Sequence, residues 1–228
     1  MVCGRRAPVL TVLAVAGMVL AGCGLAGGAN APGPGHPSVA SLIRSMKAGF
    51  ASARSVRESG DLPIHGHSDG INVVMFRSGD MSGTIRAGST TIKFLRVNGT
   101  TYEYVTKKLF SAIRVSQHIP ASACALICGK YLKVPAAGFS NLSLPRMAAS
   151  TQREVQVPSA VPRIRSVTYR GQAAYELSDN GLRIYLAAIG THYLLGLVDH
   201  NLGTLNFSEW NAVPPVSPPP ASKIFAAG

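Results

Sequence analysis

The stretch Ile92-Lys93-Phe94-Leu95-Arg96-Val97-Asn98-Gly99-Thr100-Thr101-Tyr102-Glu103-Tyr104-Val105 carries the reading of the fold. Asn98-Gly99 suits a two-residue type I′ turn, because both central residues of that turn need positive φ, which asparagine and glycine tolerate. A turn there pairs Val97 with Thr100, Leu95 with Tyr102 and Phe94 with Glu103. Side chains alternate across a strand, so Leu95, Val97, Tyr102 and Tyr104 share one face. Ile92, Phe94 and Val105 share the other with Arg96 and Glu103. Apolar residues on both faces predict a sheet whose second face is also covered, either by a loop or as the border of a ligand cavity; the residues leave both open.

Working outward, Ser59-Gly60-Asp61, Ser68-Asp69-Gly70, Ser78-Gly79-Asp80 and Ala87-Gly88 recur at the spacing of turns in an antiparallel meander. Tyr175 to Leu186 repeats the hairpin logic around Asn180-Gly181. It places Tyr175, Leu177, Leu182, Ile184 and Leu186 on a core face and Glu176, Ser178 and Arg183 on a wet one. His192 to Val198 and Thr204 to Phe207 continue the meander. Ser38 suits an N-cap for a helix in which Val39, Leu42, Ile43, Met46 and Phe50 form an apolar stripe. Leu109, Phe110 and Ile113 suggest a second short helix, Tyr131 to Val134 a strand, and Leu142 to Met147 a loop or helical piece. Pro158 and Pro162 interrupt the chain. Pro214 to Pro220 is restricted to an extended tail or an edge segment.

The start of the chain reads as an address. Arg5 and Arg6 precede an apolar run from Val9 to Leu20, shorter than the roughly 20 residues of a spanning helix. Leu20-Ala21-Gly22-Cys23 matches the bacterial lipobox, which implies cleavage before Cys23 and a diacylglyceryl thioether, with palmitate-type acyl chains, on its sulfur. Two acyl chains suffice for stable anchoring to the cell membrane. Gly24 to Gly35 then serves as a Gly, Ala and Pro tether of roughly 20 Å r.m.s. reach.

The 228 residues are 46% hydrophobic and 14% charged, which excludes a disordered polyelectrolyte. Removing the leader takes away two arginines and no acid, so the net charge falls only from +12 to +10. Such an excess draws a domain toward anionic lipid head groups or envelope polymers. Nucleic acid is not expected, because the basic residues are scattered and the leader directs the chain out of the cell. Cys124 and Cys128 remain as an even pair in an oxidising compartment, where a disulfide is expected.

Three phrases carry a resemblance: Arg96-Val97-Asn98-Gly99-Thr100-Thr101-Tyr102 followed by Phe110, Gly129-Lys130-Tyr131-Leu132-Lys133-Val134-Pro135, and Phe207-Ser208-Glu209-Trp210-Asn211 before a Pro-rich end. With the lipobox, they resemble actinobacterial lipoproteins of the LppX and LprG type, themselves similar to the LolA/LolB carriers. The resemblance implies an α+β fold, a curved antiparallel half-barrel closed by helices around an apolar cavity, that binds or transfers acylated lipids or lipoglycans. On it, residues 1–22 are the leader, 23–36 the lipidated N-terminus and tether, 37–213 the LolA/LolB-like domain and 214–228 a Pro-rich tail. Leu42, Met46, Phe50, Leu95, Val97, Tyr102 and Phe110 are the candidate cavity walls. The Cys124–Cys128 pair and the proline tail depart from the named carriers.

No GxSxG elbow, HExxH helix, P-loop or strand-borne GxGxxG occurs, so the reading is of a non-enzymatic protein without cofactor. Asp61, His65, His67 and Asp69 could bring two imidazoles and a carboxylate to one face, but they lack a fourth ligand or supporting shell, and a polar loop is expected rather than a metal site. Asp199-His200 reads as loop polarity and Trp210 as a packing anchor. The alternative function is an envelope interaction or sensory module with a filled core and a basic surface.

Overall fold

In the computed structural model the Asn98-Gly99 turn forms with φ of 50° and 77° at its two residues, joining β4 (Thr90–Val97) to β5 (Thr100–Tyr104). The cross-strand partners are those of the sequence register: Val97 with Thr100, Leu95 with Tyr102, Phe94 with Glu103. The structure describes residues 37–64, 67–115, 117–135, 143–154, 163–179, 181–199 and 203–226. The lipobox, Leu20 to Cys23, lies outside them.

The remaining strands are β1 (Ser55–Ile64), β2 (His67–Phe76), β3 (Met81–Ala87), β6 (Tyr131–Val134), β7 (Arg163–Tyr169), β8 (Gln172–Asp179), β9 (Leu182–Ala187), β10 (Leu194–Asp199) and β11 (Gly203–Ser208). They form one open antiparallel sheet of 11 strands in the order β6-β5-β4-β3-β2-β1-β11-β10-β9-β8-β7. Two meanders thus run outward from a central seam where β1 pairs with β11, Glu58 opposite Phe207. Short connections make β1 to β5 and β7 to β11 local structures, whereas β6 joins β5 only after 26 intervening residues, and the seam joins segments about 150 residues apart and depends on tertiary packing.

Four α-helices accompany the sheet among the described residues: α1 (Val39–Ser52), α2 (Lys107–Arg114), α3 (Cys124–Ile127) and α4 (Leu144–Glu154). Ser38 caps α1 by accepting the Ser41 N–H at 3.1 Å, and Thr106 caps α2 by accepting that of Leu109 at 3.0 Å. At the other end of α1 no basic residue stands in the last turn, and Arg77 supplies the charge from the turn after β2. Its Nε donates to the Ala53 carbonyl at 2.8 Å, and a terminal nitrogen donates to those of Phe50 and Ala51. A cation on these orphan carbonyls satisfies them and complements the helix dipole. No described helix is long and apolar enough to cross a membrane.

Several expectations are corrected. Ser59-Gly60-Asp61 and Ser68-Asp69-Gly70 are not turns but lie inside β1 and β2. Glycine serves there as a close-approach residue, since a Cβ at Gly60 would stand 2.0 Å from the Thr204 carbonyl oxygen of the adjoining strand. Strand β7 was not expected; its Arg-Ile-Arg-Ser-Val-Thr-Tyr sequence carries only two aliphatic residues and offers a weak alternation. Helix α4 extends well past Met147. For the Pro-rich tail the sequence allowed an extended tail or an edge segment, and beyond Pro220 the chain returns to the sheet edge, where the Phe225 N–H donates to the Tyr131 carbonyl at 2.9 Å. That contact covers part of an edge strand that would otherwise present unpaired backbone.

The outer face of the β8–β9 hairpin is not simply wet. Ala174, Tyr185 and Leu195 are buried there with Val167 and Tyr169 against them. The Tyr169 ring stacks on Tyr185 with centroids 4.0 Å apart, and its hydroxyl donates to Asn206 at 2.7 Å. Room for that ring comes from Gly196, where a Cβ would stand 2.4 Å from the Tyr169 hydroxyl.

Candidate functional site

Strand alternation divides the sheet into two faces, and α1 and α4 lie on one of them, the inner face. From α1, Val39, Leu42, Ile43, Met46 and Phe50 are buried in one cluster with Val56, Ile71, Val73, Met75, Met81, Ile85 and Phe94 of one meander and Leu177, Leu186, Leu194 and Phe207 of the other. Leu144 of α4 completes it, with Met147 and Ala148 packed at its border. The buried cluster draws on eight of the eleven strands, and it extends to both sheet edges when the half-buried Val134 of β6 and Ile164 of β7 are included. Burying each Leu, Met or Phe side chain contributes about 1.5–3 kcal/mol, so this face dominates the stability of the fold.

The two helices are tied to one another. Lys47 donates to the Gln152 carbonyl at 3.0 Å, and the Gln152 amide donates back to the Lys47 carbonyl at 3.1 Å. At its C-terminal end α1 is pinned to the sheet. Arg77 holds its carbonyls, the Arg54 N–H donates to Asn211 Oδ1 at 2.6 Å, and Phe50 meets the Trp210 ring edge-on with centroids 5.0 Å apart. Trp210 is a packing anchor here: it stacks on Tyr193 and donates its indole N–H to the Leu194 carbonyl at 2.9 Å.

The residues proposed from sequence as cavity walls fall into two layers. Leu42, Met46 and Phe50 lie beneath α1 on the inner face. Leu95, Val97 and Tyr102 project from the other side of the sheet by strand alternation. Helix α2 packs on β4, with Leu109 and Phe110 buried outside the inner cluster. These three, with Phe110, form an outer layer and cannot line one space with Leu42, Met46 and Phe50. Cys124 and Cys128 are joined by a disulfide that closes the single turn of α3. Of the residues expected in a polar loop, Asp61 lies on β1 and His67 and Asp69 on β2; Asp61 is 2.6 Å from the Arg86 guanidinium and Asp69 accepts the Gly88 N–H at 2.8 Å. His65 lies outside the described residues, as does His200.

Polar groups intrude on the inner face at two places that the sequence reading did not single out. Glu58, on central strand β1, is 5% exposed, and its Oε2 has no hydrogen-bond partner. Its cross-strand neighbours are Val73 and Phe207. Burial alone pushes its pKa from the ordinary 4.5 up to about 7. The signal was present in Val56-Arg57-Glu58-Ser59-Gly60, whose alternation puts Glu58 with Val56, but reading Ser59-Gly60-Asp61 as a turn concealed it. The second place is the cross-strand pair Arg96 and Thr101, where Arg96 Nε and Thr101 Oγ1 are both sealed from solvent without a partner. Burial also raises the pKa of the neighbouring Glu103.

No family model and no curated protein sequence matches the chain. Among solved structures, LprF from Mycobacterium bovis superposes with a TM-score of 0.50 at 13% identity, covering 80% of this chain and 96% of LprF. The chain has the LprF fold. The Mycobacterium tuberculosis lipoprotein LppX is also similar, with a TM-score of 0.45 at 12% identity over 78% of this chain and 98% of LppX.

Proposed function

We propose that the protein is a non-enzymatic, lipid-anchored carrier that holds the acyl chains of a lipid or lipoglycan between the inner face of the sheet and the α1–α4 pair. In this reading the sheet is a half-barrel, the helices are its cover, and Cys23 tethers the domain to the outer face of the cytoplasmic membrane. The observation that carries it is an apolar inner face shared by both meanders and capped by α1, pinned at its C-terminal end, with α4 tied to it, on the LprF fold. Each CH₂ moved from water to such a face contributes about 0.8 kcal/mol, so chain length alone supplies affinity. The resemblance to LppX and LprG lipoproteins points the same way. Anionic envelope polymers are a secondary partner: residues 104–153 contain Lys107, Lys108, Arg114, Lys130, Lys133, Arg146 and Arg153 and no acid.

The burial of Leu42, Met46 and Phe50, at 0%, 4% and 2% exposure, favours the second reading, an interaction module with a filled core. Organic extraction of the purified protein followed by mass spectrometry separates the two, and a consistently empty domain overturns the carrier. Met46→Trp is expected to lower co-purified lipid several-fold while the fold survives. In a filled core the same change overpacks the site and costs about 1–3 kcal/mol without altering lipid content. Cys23→Ala is expected to leave the protein unprocessed or released from the membrane fraction; unchanged processing and fractionation would refute the anchor.

A further inference from the structure

We infer that Arg96 and Thr101 form the head-group site of the ligand, and that the ligand carries an anionic oxygen group, a phosphate or a carboxylate. The inference rests on the carrier reading above and adds to it the charge and the position of the head. The two residues stand directly opposite one another on β4 and β5, on the inner face. Thr101 is 1% exposed, and its hydroxyl has no partner. Arg96 is half-buried, with Nε sealed from solvent and unpartnered, so its remaining exposure lies elsewhere on the residue.

Among the described residues nothing around the pair supplies the missing partner. Met81 faces Arg96 from β3, and Val134 faces Thr101 from β6. Phe94 and Glu103 are the next residues along on the same face. Glu103 makes no ion pair with Arg96; the ion pairs among the described residues are Arg57 with Glu209 and Arg86 with Asp61. A guanidinium stays charged at every physiological pH, so Arg96 brings to this end of the inner face a positive charge that has no ion-pair partner among the described residues. Buried donors and charges normally find partners, and a group left without one awaits a ligand or destabilises the fold. Arginine N–H groups and a threonine O–H at facing strand positions are donors of the kind that bind phosphate or carboxylate oxygens.

The pair also orients the ligand. Glu58 lies three strands away on the same face, about 14 Å at the usual interstrand spacing. A second anionic group is disfavoured there, because the surroundings of Glu58 are apolar. The head therefore sits at the Arg96 end, and the chains run across β3 and β2 toward β1.

The test uses the intact lipoprotein in detergent and three probes: dioleoylphosphatidate, oleate and dioleoylglycerol. Wild type is expected to bind the first two more tightly than the uncharged third, and whichever of the two it prefers assigns the head as phosphate or carboxylate. Arg96→Met is expected to weaken the preferred anionic lipid at least about ten-fold and dioleoylglycerol less than two-fold. Arg96→Lys should recover part of the loss, and Thr101→Val should show a smaller loss of the same selectivity. These two variants carry the test if Arg96→Met fails to fold. Unchanged anion preference in the variants, with dioleoylglycerol still bound, overturns the head-group site and leaves the carrier standing. Wild type that binds none of the three overturns the carrier itself.

Discussion

Replacing Glu58 with leucine is expected to stabilise the protein at pH 8 by about 3 kcal/mol, roughly 10 °C in melting temperature for a domain of this size, and to do far less at pH 5. The carboxyl is buried without a hydrogen-bond partner, and its pKa rises from 4.5 to about 7 on folding. Between those values the native state binds the proton that the unfolded chain has already released. Wild-type stability from this group is therefore fully present below about 4.5, falls as the pH rises through 7, and levels off above it. Leucine has a similar volume and nothing to ionise, so the variant should lose this part of the pH dependence. Glutamine would be a poorer choice, because its amide would be buried as unpartnered as the carboxyl. Thermal melts of both proteins from pH 4 to 9 check the expectation, and parallel curves would show that Glu58 is solvated or paired in solution.

Gly60→Ala is expected to cost more than about 3 kcal/mol, the second large effect. The new methyl would stand 2.0 Å from the Thr204 carbonyl oxygen and 3.0 Å from its carbon, both backbone atoms of β11. No rotamer change relieves a clash between two main chains, so the central seam must open. Gly83 repeats the arrangement on β3, where a Cβ would stand 2.2 Å from the Asn72 carbonyl oxygen. Both glycines lie on the inner face by strand alternation, and both let a neighbouring strand fold in over that face. Gly79 is the control. It has φ of +88° but nothing within 4 Å of its would-be Cβ, so alanine there costs only the local strain of about 1 kcal/mol. If Gly60→Ala melts no lower than Gly79→Ala, the close approach at the seam is not a feature of the folded protein.

These effects show where local pattern suffices and where it does not. The Asn98-Gly99 hairpin, the faces of β4 and β5, the Ser38-capped helix and the inner residues of the β8–β9 hairpin were all legible, because each depends on a turn preference, a cap or a period of two or 3.6 acting over a few residues. Strand β7 was not legible, since its pattern is diluted by Arg163, Arg165, Ser166 and Thr168, and its place comes from pairing with β8.

The site divides along the same line. The sequence by itself determined that Leu42, Met46 and Phe50 form one helical stripe, and that Phe94 and Arg96 share a strand face. It did not determine which sheet face the stripe would meet. That choice belongs to the tertiary structure, where α1 lies on the Phe94 side and α2 takes the Leu95, Val97 and Tyr102 side. The same holds for Gly60, which reads as a turn in a short window and becomes a strand residue only once β11 arrives beside it. Glycine is compatible with both settings, and the energy that decides between them comes from a strand more than a hundred residues away. The unmet polar groups of Glu58, Arg96 and Thr101 are likewise tertiary facts: a side chain lacks a partner only with respect to everything packed around it, and most of that packing is brought by distant segments.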